Sequence, residues 1–298
     1  MSGLVREVMT VEQKTGFSKT VRRPRHGLYM IALLTLGTAA ASPLAAQSPQ
    51  VLIRTEYTLR IAGLHIADFN MEGDFASAHY SLSGSGKSAS LARLISKFKG
   101  WTKSDGTLNG GTIVPASYAL DFRIKKKRQS VDMHLNQGKV AKLDVFPPVK
   151  PSDTRIPVTS AHQTGVLDPI SAVVIPLPKG QLTNESACNR TLPIFDGRQR
   201  YDLVLSAKRV ANLPAANGSG TTPVHVCKIK YVPIAGHKPE RESTQYWADN
   251  EDMEIWLAAV QSAKVLIPYR VVMPTPLGEA VVNISKLEVS GTQQAAAQ

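Results

Sequence analysis

From about residue 50 onward, apolar side chains recur at every second position, and this spacing constrains the fold more than any other feature. In "TEYTLRIAGLHIADFNMEGDF", Tyr57, Leu59 and Ile61 share one face while Thr58 and Arg60 share the other. After "AGL" the apolar positions resume at Ile66. A period of two places successive side chains on opposite faces of a strand, whereas a helix repeats near 3.6. The stretch therefore reads as a β-hairpin. "YALDFRI" and "SVDMHL" make a second hairpin. Tyr118, Leu120, Phe122 and Ile124 point one way, and Val131, Met133 and Leu135 return on the same side. Its tip is basic: Lys125, Lys126, Lys127 and Arg128.

The same alternation marks "HYSLSGSG", "RYDLVLSAKRV", "VHVCKIKYVPI", "STQYWAD", "EIWLAAV" and "IPYRVVMPTPLGEAVVNISKLEV", the last folded at the Pro/Gly turn "PTPLG". Two segments read as helical. "SLARLISKF" spaces Leu91, Leu94, Ile95 and Phe98 for one helix face, with Ser90 as N-cap. "DPISAVVIPLP" offers Asp168 as cap and Pro169 at the first position, and stops before Pro176. Residues 147–159 and 214–223 read as loops. The expected fold is mainly β: a curved antiparallel sheet, a half-closed barrel or β-spiral, wrapping one or two short helices. Its interior can hold side chains or a ligand. One domain is expected over residues 47–290, with a disordered Ala/Gln tail at 291–298.

The region before residue 47 has a different character. Arg22, Arg23 and Arg25 precede the uncharged run "GLYMIALLTLGTAAAS", and "PLAAQ" follows. A basic stretch, a short apolar core and small residues make a secretory signal, so residues 1–46 are expected to be removed after Ala46, with Ala41 as the alternative. The apolar core is shorter than the ~20 residues a membrane span needs, and no stable transmembrane segment is expected in the mature chain. The signal carries six of the 35 Lys/Arg and two of the 23 Asp/Glu, leaving a net charge of +8. That excess is modest for a nucleic-acid binder, and nucleic acid is not an expected partner. Anionic envelope polymers or lipid headgroups fit better.

Cys188 and Cys227 are the chain's two cysteines. In an oxidising compartment they are expected to form a disulfide closing a loop of about 40 residues. They do not form a C-x-x-C redox pair.

Catalytic patterns fail on inspection. "SGSGKS" lacks the first glycine of a phosphate loop, whose place is taken by Ser81, and reads as a glycine-rich strand end. His65, His79, His134, His162, His225 and His237 are scattered. No metal-ligand spacing, serine elbow or EF-hand pattern is present, so no metal, cofactor or catalytic residue is expected. Asp249, Glu251, Asp252 and Glu254 cluster in sequence, as paired hydrolytic carboxylates would, but read as a solvated loop. Trp101, Trp247 and Trp256, with Tyr118, Tyr231, Tyr246 and Tyr269, are groove candidates that equally suit core or rim.

"IFDGRQRYDL" concentrates Asp196, Gly197, Arg198, Arg200, Tyr201 and Asp202. Asp-Gly is a turn dipeptide. Beyond it, Tyr201, Leu203 and Leu205 alternate toward a core, while Arg198, Arg200 and Asp202 share the other face. Like charges side by side need an opposite partner, which Asp202 or Asp196 supplies. The block reads as a turn and strand, with anion contact by its arginines as the other reading.

The stretch "CNRTLPIFDGRQRYDLVL…VHVCKIKYVPIAGH" resembles the bacterial family catalogued as domain of unknown function 3108. "EYTLRIAGLHIADFNMEG", "SLARLISKFKGWTKSDGTL", Pro115–Tyr118 and "IPYRVVMPTPLGEAVVNISKLEV" are similar to it too, so the resemblance covers roughly residues 52–290. It implies an exported envelope protein in the periplasm, with an architecture similar to periplasmic β-spiral and lipoprotein-carrier-like folds. It carries Cys188, Cys227 and the Asp196–Asp202 block as structural signatures, and no catalytic residue. The expected function is non-enzymatic support of the cell envelope by binding an apolar ligand, a lipoprotein or an anionic envelope polymer. A glycan- or lipid-acting hydrolase and a purely structural partner-binding module are the alternatives.

Overall fold

The computed structural model describes residues 50–76, 78–90, 92–94, 97–109, 111–214 and 221–291. The expected signal segment, most of the 214–223 loop and the tail beyond Gly291 lie outside the described residues. The strands are β1 (Gln50–Ile61), β2 (Leu64–Ala76), β3 (His79–Ser88), β4 (Phe98–Asn109), β5 (Thr112–Ile124), β6 (Lys127–Asn136), β7 (Lys139–Phe146), β8 (Ile175–Pro176), β9 (Arg190–Phe195), β10 (Arg200–Pro214), β11 (Thr221–Ala235), β12 (Met253–Val260), β13 (Val265–Thr275) and β14 (Gly278–Gly291).

They form one antiparallel sheet in the order β7-β6-β5-β4-β3-β2-β1-β14-β13-β12-β11-β10-β9, with β8 paired on β13. Nearly every neighbour is joined by a short connection, as alternating sequences separated by turn residues favour. The exception is β1 beside β14, paired from Val51↔Gly291 to Ile61↔Ala280. The sheet curves without closing. Its edge strands are β7 and β9, and a strap of irregular chain crosses the gap between them. Val166 N donates to Gly138 O at the start of β7, Leu167 N to Pro193 O on β9, and Phe195 N back to Leu167 O.

Two apolar cores lie on opposite faces of the strongly apolar strand β13. Val265 and Ile267 face the core inside the curve, with Tyr80, Leu82, Met133, Phe195 and the strap residues Val166, Ile170 and Val174. Leu266 faces the second core, with Leu205, Ile229, Leu257 and α1 (Asn184–Cys188). Burial on both faces explains why this strand reads as a continuous apolar run. Within the second core the sulfurs of Cys188 on α1 and Cys227 on β11 stand 2.03 Å apart as a disulfide, with Cα atoms 5.4 Å apart.

Three local expectations change. "STQYWAD" is a helix, α2 (Glu242–Asp249), not a strand. Tyr246 and Trp247 are adjacent and would point to opposite faces of a strand, whereas on the helix Trp247 packs against the second core. In "SLARLISKF" the described residues hold a 3-10 turn at Ala92–Leu94, and Phe98 is drawn into the β4 ladder; Leu91, Ile95 and Ser96 lie outside the described residues. "DPISAVVIPLP" likewise yields one 3-10 turn, Ser171–Val173, because Ile175 and Pro176 pair with β13 instead. This turn is what the curved sheet wraps.

Candidate functional site

The interior core does not fill the whole curve. A cavity of about 400 Å³ remains, lined almost entirely by apolar groups. Phe69 and Met71 come from β2, Leu120 and Phe122 from β5, and Val271 and Val282 from β13 and β14. Pro169, Ile170 and Val173 come from the strap.

Three glycines make this space. Cross-strand partners share a face, and the pairings Phe69↔Gly86, Gly86↔Gly100 and Gly100↔Phe122 run as one inward row across β2 to β5. The next row is Met71↔Gly84, Gly84↔Thr102 and Thr102↔Leu120. A Cβ at Gly86 would fall 2.5 Å from the Phe69 ring and one at Gly100 2.5 Å from Phe122 Cβ, so these glycines admit the phenylalanines that wall the cavity, and Gly84 stands bare opposite Ile170. The Phe98 ring leans over the glycine row, 6.2 Å from Phe69 and 6.3 Å from Phe122 between centroids. These three rings are only half-buried, whereas Tyr57, Tyr118 and Ile170 below them are buried. The aromatic side is thus the accessible end, and the strap is the floor.

Beneath the floor sits a buried polar network. Asp168 Oδ1 accepts from Ile170 N at 3.0 Å and Ser171 N at 2.9 Å, which fixes the start of the 3-10 turn, although the N-cap position is Ile170 rather than Asp168. Its Oδ2 lies 2.8 Å from Ser104 Oγ on β4. Ser104 Oγ lies 2.9 Å from Ser171 Oγ, which lies 2.8 Å from the Tyr80 hydroxyl on β3. Ser104 Oγ is also 2.8 Å from the Ser117 carbonyl. Three hydroxyl protons cannot serve every one of these contacts. A proton on Asp168 completes the set, because it donates to Ser104 and frees the Ser104 proton for Ser117. Burial favours the same state. It pushes the Asp168 carboxyl above the usual carboxylate range, outweighing the hydrogen bonds from Ser171, Ser104 and Ile170 that pull it down. The network bolts the strap to β3 and β4 and fixes the cavity floor.

The "IFDGRQRYDL" block lies elsewhere, at the gap between the sheet edges. Asp196 Oδ1 accepts from Arg198 N at 2.8 Å and Gln199 N at 2.7 Å, closing the turn. Gly197 adopts φ +90° and lies against Val131 and Leu143. Arg200 donates to Asp202 and to the Tyr201 carbonyl, each at 2.6 Å. Tyr201 packs on Tyr231, 5.3 Å between centroids, and Leu205 enters the second core. Arg198 is in the turn rather than on the strand, so it does not flank Arg200 on one strand face, and it donates to the Pro147 carbonyl. Both guanidiniums thus have partners within the chain.

The basic tip falls at the β5–β6 turn. Lys125, Lys126 and Lys127 are exposed, and Arg128 is bound by Asp121, 2.8 Å from its Nε. The sequence-clustered carboxylates do not converge. Glu254 is held by Lys208, Arg209 and the Trp256 indole, while Glu251 and Asp252 are exposed. His65 meets Asp68 at 2.6 Å on the sheet's outer surface. Among the described residues no group of three or more His, Cys, Asp and Glu is placed to hold a metal. Of the groove candidates, Trp101 and Tyr118 border the cavity, while Trp256 and the Tyr246–Trp247 pair do not. Trp101 is 45% exposed on the outer face and Trp256 sits between Arg209 and Arg270. Sequence reasoning missed the cavity-forming glycines and the Tyr80–Ser104–Ser171 network. The signal for the former was glycine recurring with the strand period in "SGSG".

A curved, unclosed antiparallel sheet around an apolar cavity defines a β-barrel-like protein. The chain belongs to the family described as protein of unknown function (DUF3108), whose model matches residues 56–285. No curated protein matches it. It is similar to a solved structure described as a beta-barrel-like protein of domain of unknown function DUF1849 from Brucella abortus. The two share 11% identity at a TM-score of 0.44, over 82% of this chain and 98% of that one.

Proposed function

We propose that this chain is exported through the signal in residues 1–46 and acts in the periplasm as a non-enzymatic protein of the cell envelope. It binds an apolar molecule, of the acyl-chain class, inside the curved sheet. The observation that carries this reading is the cavity of about 400 Å³ at the three inward glycines. Its volume is within the ~300–1,000 Å³ typical of ligand pockets, and its lining offers contact by dispersion and water exclusion. The inner face of "YALDFRI" supplies Tyr118, Leu120 and Phe122, while "RYDLVL" packs in the second core. The rigid polar network below supports a preformed site, which reduces the ordering cost of binding.

Native mass spectrometry of the protein purified from its own host tests the reading, alongside displacement of an environment-sensitive apolar dye. Co-purified lipid is expected, and Val282→Trp, which fills the cavity, should abolish dye binding while circular dichroism is unchanged. Unimpaired dye binding by this variant, or a host-purified protein without lipid, overturns it. Fractionation with N-terminal sequencing should find the mature chain in the periplasm, starting at Gln47.

A further inference from the structure

We infer that the accessible end of the sheet is a docking surface for an anionic lipid bilayer, on which the hairpin turns insert apolar tips between basic side chains. The inference goes beyond cavity binding and stands on the rim alone.

The antiparallel order places the β1–β2, β5–β6 and β13–β14 turns and the β3–β4 connection at one end of adjacent strands. Hydrogen bonds join them into a continuous rim. Ala62 N donates to Glu279 O at 2.9 Å, Ala89 N to Ile66 O at 2.9 Å, and Lys125 N to Lys97 O at 2.8 Å. The two most exposed large apolar side chains among the described residues are Leu277 at 78% and Leu64 at 69%. They project from the β13–β14 and β1–β2 turns, which touch at Ala62 and Gly278. Ile124, 43% exposed, is on the β5–β6 turn of the same rim. Single exposed leucines are ordinary, but their concentration on touching turns at one end is not.

The same rim carries exposed Arg93, Lys97, Lys125, Lys126 and Lys127. Of the acids on these turns and the strands beside them, Asp68 is met by His65, Asp121 by Arg128, and Glu279 faces Arg270 at 4.0 Å, while the exposed Glu240, Glu242, Asp249, Glu251 and Asp252 belong to the β11–β12 connection on the far side of β13. Arg93 donates to the Ser88 carbonyl, and the lysines are left to face outward. Basic side chains beside projecting leucines match the charged headgroups and apolar boundary of an anionic membrane. A soluble polyanion would use the charges and leave the leucines in water, so the bilayer accounts for both features.

Co-sedimentation of the mature protein with vesicles of phosphatidylglycerol and phosphatidylcholine tests this. Binding should be strong to the mixed vesicles, weak to phosphatidylcholine alone, and weakened by salt. The Lys125→Gln/Lys126→Gln/Lys127→Gln variant should lose on the order of a hundredfold in affinity, at about 1 kcal/mol per cation. An environment-sensitive label at Leu277→Cys should shift to the blue with mixed vesicles, while one at Ser262→Cys, beyond the opposite end of β13, should not. Equal binding to both vesicle types, binding to soluble polyanion but not to vesicles, or equal shifts at the two labels overturns the inference. Dye binding measured without vesicles reads the cavity separately, so the failure of one reading is distinguishable from the failure of the other.

Discussion

The Arg198 guanidinium donates to the carbonyl of Pro147 at 2.7 Å, and this bond ties the β9–β10 turn to the end of β7. These strands are the two edges of the sheet, so the most distinctive stretch of the sequence works as a clasp. Gly236 completes it. Its amide donates to Ile156 O at 2.8 Å, its carbonyl receives Arg155, and at φ +81° any side chain there would overlap the Arg198 carbonyl.

Gly197→Ala should destabilise the fold by about 2–4 kcal/mol in urea unfolding. The new Cβ would stand 2.7 Å from Val131 Cγ1 in a left-handed conformation. Gly63→Ala is the control. Its φ is +81° but nothing stands within 4 Å, so only the conformational cost of ~1 kcal/mol should appear. Equal losses at the two sites would refute the clasp.

Asp168 sets a pH dependence. Because burial raises its folded-state pKa above the unfolded value, its contribution to stability is full below the unfolded pKa. That contribution is lost as pH rises through the folded pKa. Asp196 is shifted in the same direction by burial. Asp168→Asn keeps an oxygen for the Ile170 and Ser171 amides and cannot ionise. The wild type minus variant difference in unfolding free energy should therefore decline from pH 4 upward. A flat difference would show that Asp168 does not carry the dependence.

The disulfide joins residues separated by 39 positions. Replacing both cysteines by alanine should lower stability by about 4 kcal/mol on the chain-entropy account. The loss should register in the transition temperature under non-reducing conditions. A change under 1 kcal/mol would mean that α1 is held by the second core alone.

Phe98→Ala removes the ring above Gly86 and Gly100. Because Phe98 is half-buried, the stability loss should fall below the ~3–5 kcal/mol of a buried phenylalanine. Stopped-flow measurements should show faster release of an apolar dye. Unchanged release would place the entry elsewhere.

Much of the sheet was legible because its information is local. Tyr57, Leu59 and Ile61, or Val131, Met133 and Leu135, declare a strand through their own spacing, and Asp196-Gly197 declares a turn through its own chemistry. The polar network depends on partners distant in sequence. Nothing near Ser104 announces Asp168, 64 residues away. The cavity was hidden for a different reason. It exists where side chains are missing, and a glycine pattern names a space only after the neighbouring strands show which face is inward. The helix expected over "DPISAVVIPLP" stopped after one turn because the ladder with β13 claimed Ile175 and Pro176.

The pairing of β1 with β14 governs how the molecule is made. Val51 finds Gly291 only after all the residues between them have been synthesised, and closing so long a loop precedes any reward from the contact. Hairpins β2 to β7 can zip early, while the ladder uniting the two halves comes last and slowly. Until then both β1 and β14 present bare edges, ready templates for another chain. Nascent copies are therefore the stage most in need of a chaperone.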